Sequence, residues 1–403
     1  MQWSPEQDQA LSLVSEWITD SASQVFRLFG YAGTGKTTLA RHLAEGVEGP
    51  VEFAAFTGKA AQVLREKGCD DAGTIHSLIY RPDEETGADP TFTLNRDSPA
   101  GKADLIIIDE CSMVDEDLGR DLLSFGTKVL VLGDPAQLPP VKGGGFFTEH
   151  EPDFLLTEVH RQARDNPIIE MSMRIREGEK LEYGQYGESQ VISRRDIDSE
   201  LMMAADQALV GRNVTRMNYN ARMRALQSYD GSMPHPEERL ICLRNNKKKG
   251  LLNGSLWVVA SAKEGRVGLY DLRLLPDPPP IIQGVKSRQT RVRVRPEFFQ
   301  GRESELSWPE RRKSDEFDFG YVLTVHKAQG SQWDHVVLFD ESFAFREHRE
   351  RWLYTAVTRA AKSARPAARA AAIAVLAISM AMVITPTPPG TGVIAPATPS
   401  ASS

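Results

Sequence analysis

The pattern of apolar and polar positions changes character along the chain. Over residues 1–160, short apolar runs at 25–29, 51–56, 105–108 and 129–132 have strand length, and two of them lead into helical stretches at 37–45 and 59–66. Strands alternating with helices predict a mostly parallel sheet with helices on both faces. A polar, turn-rich insert at about 80–102 interrupts this block, with room for a small hairpin around Phe92. A second block runs from about 154 to 214 and resumes at 319–358, with strand candidates at 208–210, 321–325 and 336–339. The interval 240–315 has a different texture: strand candidates at 256–261, 267–271 and 290–294 are broken by a Pro-rich turn at 276–280. It predicts a small antiparallel, barrel-like β subdomain inserted into the second α/β domain.

The expected plan is therefore an α/β chain with a first domain at 1–153, a second split between 154–239 and 316–362, the insert at 240–315 and a tail at 363–403. A length of 403 residues, too great for one ordinary core, suits that division. From Ser363 the sequence turns Ala-rich and then Pro/Thr/Ser-rich, and its last part reads as disordered. The stretch 370–384 is apolar except for Ser379. It is shorter than the roughly 20 residues that span a bilayer. With Arg365 and Arg369 ahead of it, it could be a tail anchor or an ordinary buried or poorly ordered segment.

Composition adds less. Apolar residues at 41% and charged residues at 26% are those of a soluble globular protein and argue against a mostly disordered chain. Cys69, Cys111 and Cys242 lie far apart without metal-ligand spacing, which argues against a zinc site or disulfide framework and fits a reducing cytosol. The N-terminus has no basic and apolar regions of a secretory signal. A net charge of −7 would seem to disfavour a polyanionic partner, but binding depends on local charge rather than the sum.

Candidate chemistry changes the picture. Gly30-Tyr31-Ala32-Gly33-Thr34-Gly35-Lys36-Thr37 fits G-x-x-x-x-G-K-[ST] between a predicted strand and a predicted helix. Glycines let backbone N–H groups turn around phosphates, and the helix N-terminus adds a favourable dipole. Lys36 neutralises the β/γ-phosphates, and the Thr37 hydroxyl, followed by Thr38, ligates Mg²⁺. Asp109-Glu110 ends a strand run, where Asp109 can hold Mg²⁺ through water and Glu110 can activate the attacking water. Gly133-Asp134-Pro135-Ala136-Gln137-Leu138-Pro139-Pro140 ends the next run, with Gln137 placed to sense a γ-phosphate. The glycines at 143–145 lack a following Lys-Ser/Thr and read as a flexible turn.

In this order the motifs resemble superfamily 1 helicases, and most closely the 5′→3′ branch that holds the phage Dda helicase and RecD. The resemblance runs from about residue 4 to residue 361. It implies two RecA-like P-loop motor domains with parallel sheets, ATP and Mg²⁺ as cofactors, and single-stranded and forked or overhang DNA as partners. The resemblance makes Gln7, in Ser4-Pro5-Glu6-Gln7, the adenine reader. It makes Arg161, in Leu156-Thr157-Glu158-Val159-His160-Arg161-Gln162, and Arg359, in Tyr354-Thr355-Ala356-Val357-Thr358-Arg359-Ala360, the arginines that reach the γ-phosphate from the second domain. Phe56-Thr57-Gly58-Lys59-Ala60-Ala61 and Thr74-Ile75-His76-Ser77 resemble strand-holding motifs of the first domain. Leu323-Thr324-Val325-His326-Lys327-Ala328-Gln329-Gly330-Ser331 resembles the motif that binds DNA and nucleotide in the second, with Gly330 on the nucleotide side. Thr57, Lys59, Thr74, His76, Thr324, His326 and Lys327 are thus the candidate DNA contacts, the lysines supplying charge and the threonines hydrogen bonds. Phe92 is the candidate wedge at the hairpin, or a ring packed under it.

Basic clusters at 244–249, 286–295 and 311–313 read either as a solvated face or as a DNA or partner surface, with Arg291, Arg293 and Arg295 sharing one strand face. In the family an apolar strand follows the last motif and completes the second sheet; here Pro366 interrupts that position. The change at 363 reads as a frameshifted or replaced terminus, an idea that an intact in-frame gene with this ending would refute. The expectation is an ATP- and Mg²⁺-dependent DNA helicase of the bacterial or phage-infected cytoplasm, possible as a monomer, without membrane attachment and with replication or recombination proteins as partners. Two alternatives stay open: a translocase or complex subunit without unwinding, and a non-motor nucleic-acid-binding protein.

Overall fold

The computed structural model describes residues 3–82, 92–140, 144–159, 166–277 and 289–360. The N-terminal part contains β1 (Val25–Gly30), β2 (Val51–Ala55), β3 (Gly73–Thr74), β4 (Tyr80–Pro82), β5 (Phe92–Leu94), β6 (Leu105–Asp109), β7 (Lys128–Gly133) and β8 (Phe154–Leu156). Six of these form one parallel sheet in the order β3-β2-β6-β7-β1-β8. The central strands β6 and β7 carry unbroken apolar runs, Leu105–Ile108 and Val129–Leu132, because both faces are covered. Ile106 and Ile108 of β6 enter the core that holds Leu118, Leu122 and Phe147, while Leu105 and Ile107 enter the core that holds Val14, Leu39 and Leu43. The sheet continues beyond the boundary expected at 153: Phe154–Leu156 pairs with β1 and buries Leu156 in the first core. β4 and β5 form a separate two-stranded hairpin.

The second domain adds β9 (Gly184–Tyr186), β10 (Ser189–Val191) and β11 (Gln207–Val210), then the insert strands β12 (Arg239–Cys242), β13 (Leu256–Glu264), β14 (Tyr270–Asp277), β15 (Thr290–Val294) and β16 (Phe317–Phe319), and finally β17 (Val322–Thr324) and β18 (Val336–Leu338). Strands β17-β11-β18 form a parallel sheet, again buried on both faces: Ala208 and Val210 face one core, Leu209 the other. The insert is a five-stranded antiparallel sheet in the order β15-β14-β13-β12-β16. A bulge between Val259 and Ser261 bends β13. The sheet curls until its outer strands meet at a bridge between Val294 and Asp315, which gives it a barrel-like form. The insert is wider than 240–315, because Phe317 and Phe319 face its core. The strand expected at 267–271 starts later, at Tyr270, after a 3₁₀ turn at Arg266–Gly268. The tail from 361, with Arg365, Pro366, Arg369 and the 370–384 stretch, lies outside the described residues. Among the described residues no helix is long and apolar enough to cross a membrane.

The insert is anchored by a buried ion pair. Arg224, on helix Asn213–Leu226, donates from Nε at 2.7 Å and from Nη2 at 3.1 Å to the Glu238 carboxylate, and its guanidinium stacks 4.1 Å from the Phe319 ring centroid. Arg224→Met would leave Glu238, fully buried, without its cation. Loss of about 3–5 kcal/mol is expected, read as a clear fall in thermal midpoint; an unchanged midpoint would show that the pair adds nothing to the fold.

Candidate functional site

The phosphate loop joins β1 to helix Lys36–Glu45. Gly33 (φ +81°) and Gly35 (φ +84°) take left-handed backbone that side chains rarely tolerate. A Cβ at Gly30 would lie 2.7 Å from Thr34 Oγ1 and 2.8 Å from Leu156 Cβ, so no larger residue fits there. Gly35 has no side chain to cap the helix, which leaves the first-turn N–H groups directed at the loop. Lys36 Nζ donates to the Gly30 carbonyl (2.6 Å) and the Tyr31 carbonyl (3.0 Å). Thr34 is buried, with its hydroxyl donating to the Tyr31 carbonyl, and Thr38 follows Thr37 on the first helical turn.

Asp109 and Glu110 end β6 and its turn. Thr37 Oγ1 donates to Asp109 Oδ2 at 2.9 Å, and the Glu110 N–H donates to Asp109 Oδ1 at 2.8 Å. Glu110 itself has φ +55°, a strained backbone position for a non-glycine residue. Burial holds its carboxyl above the usual range, as do the charges of Asp109 and Asp134, against the opposing pull of Arg359 and Lys36. Asp134 is raised for the same first reason, burial.

Gln7 sits beside the loop. Its Nε2 donates to the Thr34 carbonyl at 3.0 Å, and its Oε1 accepts from the Ser4 N–H in the capping box of helix Pro5–Asp20. Glu6 next to it accepts from the N–H groups of Thr157 and Glu158 and from the Thr157 hydroxyl, and so pins the start of the 156–162 segment. Arg161 itself lies outside the described residues.

The second domain closes the other side. Arg359 is 2% exposed; its Nε donates to the Thr355 carbonyl at 3.2 Å and its Nη1 to the Ser331 carbonyl at 3.4 Å. Its charge reaches Glu110 and Asp134. Gln137 is buried in the same seam, and its Oε1 has no partner among the described residues. A pocket of about 230 Å³ lies between Tyr31, Pro135 and Ala136 on one side and Arg176, Glu350, Arg351 and Tyr354 on the other. The Arg176 guanidinium stands 3.7 Å from the Tyr31 ring centroid. Glu6 and Tyr354 lie within sequence motifs that assign them no role, and Arg176 lies outside those motifs; the partners of all three are far along the chain.

The candidate strand contacts share one local construction. Thr57, Thr74 and Thr324 each cap a helix at the end of a parallel strand, accepting from the N–H groups of Ala60, Ser77 and Lys327. Each hydroxyl keeps its own proton free to donate. Burial pulls Lys59, Lys327, His76 and His326 below their ordinary pKa values. Gly330 (φ +77°), expected on the nucleotide side, packs close to a strand-contact candidate: a Cβ there would lie 3.0 Å from both Thr57 Oγ1 and Ala60 Cβ. The insert leans on the same helix, since a Cβ at Gly58 would lie 2.9 Å from Leu252 Cβ. Phe92 is 56% exposed, pairs with Pro82 across the hairpin and has its ring 6.2 Å from His76; residues 83–91 lie outside the described ones.

Part of each basic cluster is paired with a carboxylate within the insert. Arg244 and Arg311 both pair with Glu316, Lys249 with Asp315, Arg291 with Asp271 and Arg295 with Glu310. These pairs favour the solvated-face reading. Among the described residues no group of three or more His, Cys, Asp or Glu could hold a metal ion.

Comparison with known proteins agrees with this arrangement. Residues 2–196 match the AAA domain family, and residues 319–365 match the UvrD-like helicase C-terminal domain family. The ATP-dependent RecD2 DNA helicase of Deinococcus radiodurans is 28% identical over 362 residues, covering 83% of this chain and 45% of that protein. The ATP-dependent DNA helicase dda of Enterobacteria phage T4 is 30% identical over 187 residues, 43% of this chain and 42% of that one. The chain thus spans less than half the length of these two relatives in each match. A Pif1 structure described as the basis for unwinding at forked dsDNA by two coordinating helicases superposes with a TM-score of 0.57 at 19% identity, over 94% of this chain and 92% of that one. Two RecA-like domains joined by a motif-lined cleft agree with these matches, in which the chain is similar to RecD2 and dda DNA helicases in sequence and to a Pif1 helicase in fold.

Proposed function

We propose that the chain is an ATP-driven motor that moves 5′→3′ along single-stranded DNA and separates forked or tailed duplex as it advances. The observation that carries this reading is the cleft: the helix of the second domain that leads to Arg359 is bonded into the first domain beside the phosphate loop, through Tyr354 to the Ala32 N–H and Asp134 and through Thr355 to the Leu138 N–H. Groups from both domains would therefore bind a triphosphate only when the cleft is closed, and its hydrolysis would release them. The named DNA helicases among the relatives support the substrate class. The polarity rests on the resemblance of the motif set to the 5′→3′ branch.

In this mechanism Gln7 reads the base, and Gly30, Gly33, Gly35 and the first-turn N–H groups cradle the phosphates. Lys36 exchanges its loop carbonyls for phosphate oxygens. Thr37 and Asp109, hydroxyl and carboxylate 2.9 Å apart beside the loop, fit a hard divalent cation. Bound there with nucleotide, Mg²⁺ would neutralise charge on the phosphates. Glu110 takes the proton of the attacking water, and its raised pKa makes it the stronger base. Gln137 offers its free Oε1 to that water, and Arg359, with Arg161 by motif, stabilises the charge that develops. Thr57, Thr74, Thr324, Lys59 and Lys327 hold strand phosphates, while Phe92 and His76 offer stacking surfaces. One chain carries both walls of the cleft, so a monomer suffices.

Strand affinity should rise as pH falls. The lowered lysines lose charge sooner than ordinary ones as pH rises, and the lowered histidines, neutral near pH 7, gain charge only on acidification. Both act in one direction. Anisotropy of a labelled oligo(dT) at constant ionic strength reads the effect, and affinity flat across neutral to alkaline pH would remove the lysines from the strand site. The reading as a whole is tested by ATP-dependent strand displacement from duplexes with a 5′ or a 3′ tail. Displacement of the 5′-tailed substrate alone is expected. A 3′ preference would overturn the polarity, and DNA-stimulated ATPase without displacement would leave a translocase.

A further inference from the structure

Helix Arg349–Val357 belongs to the second domain, yet two consecutive side chains on it are bonded to the first. Tyr354, 1% exposed, accepts from the Ala32 N–H at 3.0 Å and donates to Asp134 Oδ2 at 2.7 Å. One hydroxyl thus joins two separate loops: the phosphate loop after β1 and the 133–140 segment after β7. Thr355 Oγ1 accepts from the Leu138 N–H at 2.9 Å, and Gln329 Nε2 donates to the Leu138 carbonyl at 3.3 Å. Leu138 is therefore gripped on both its backbone groups by the second domain. Gln329 lies two residues after Lys327, on the strand side, and Arg359 bonds back to the Thr355 carbonyl. Hydrogen bonds and chain connectivity together lead from the strand candidates Thr324 and Lys327, two residues before Gln329, through Leu138, Thr355 and its neighbour Tyr354 to the phosphate loop.

We propose that Tyr354 is a positioning residue that couples the two sites: its hydroxyl ties the phosphate loop and the 133–140 segment to the helix that delivers Arg359, so that strand binding sets the rate of hydrolysis. The inference rests on the motor reading above. A structural role alone would need the ring, which fills the seam; coupling needs the hydroxyl, since a phenylalanine keeps the volume and loses both bonds. A contiguous path is not by itself coupling, and the decisive quantity is the change in response between sites.

The test compares ATP turnover with and without oligo(dT) for wild type, Tyr354→Phe and Thr355→Val, with Lys36→Ala as the inactive control. For Tyr354→Phe the stimulation ratio should fall by about fivefold or more toward one, the lower end of ordinary coupling energies. KM for ATP and the thermal midpoint should stay near wild type, and Thr355→Val should lower the ratio in the same direction. A wild-type ratio in Tyr354→Phe overturns the inference. So does a fall in which thermal midpoint and KM move together, which marks a packing role. A wild type with no stimulation fails the motor reading first and the inference with it.

Discussion

Glu110→Gln is expected to retain nucleotide and strand binding while losing hydrolysis by about 10²–10⁴-fold, the usual worth of a general base. The substitution is close to isosteric and removes only the ability to accept a proton. The position is built for that ability. A left-handed backbone at φ +55° points the side chain away from the run of β6, and the Glu110 N–H is tied to Asp109 Oδ1 at 2.8 Å. Burial and two neighbouring carboxylates raise its proton affinity, with Arg359 and Lys36 pulling the other way. Steady-state turnover with saturating oligo(dT) reads the loss, and equilibrium binding of a labelled nucleotide reads the retention. A variant that still hydrolyses at a tenth or more of the wild-type rate, roughly one order of magnitude, would move the base elsewhere in the cleft.

Arg359→Lys should be nearly as severe, about 10³-fold in strand-stimulated turnover, the lower end of what an arginine finger supplies. Lysine keeps the charge but loses the planar fork, and with it the simultaneous hold on the Thr355 and Ser331 carbonyls that aims the guanidinium. The charge of Arg359 reaches both Glu110 and Asp134 from the opposite domain, so its loss should leave KM for ATP less affected than turnover. Rapid-quench measurement of a single turnover separates chemistry from product release. An unchanged chemical step would return Arg359 to a structural role at the end of its helix.

Glu110 could be singled out from sequence because the phosphate loop and the Asp109-Glu110 pair are local patterns in a strand-and-helix context, whereas Arg359 came only from the resemblance of its segment to the last helicase motif. The parallel sheet was legible for a related reason: runs such as 105–108 are apolar at every position, which only a strand covered twice requires. What escaped were contacts between positions far apart. Tyr354 meets Asp134 across 220 residues of sequence, Ala32 across 322, and Glu6 meets Thr157 across 151. No periodicity records such pairs. Edges escaped too: β8 is three residues long and its place beside β1 follows from burial of Leu156, not from any turn signal near residue 153. The partners of the basic clusters were equally hidden: Glu316 and Asp315 reach Arg244 and Lys249 through the pairing of β12 with β16, far apart in sequence.

The central claim is that one cleft serves both sites, with strand contacts and phosphate chemistry joined through the same pair of domains. Steady-state ATP hydrolysis with and without single-stranded DNA tests it most directly. The account predicts slow turnover alone, a rise of at least about tenfold when oligo(dT) saturates the chain, and no rise in Lys36→Ala. Turnover that is the same with and without the strand would contradict it.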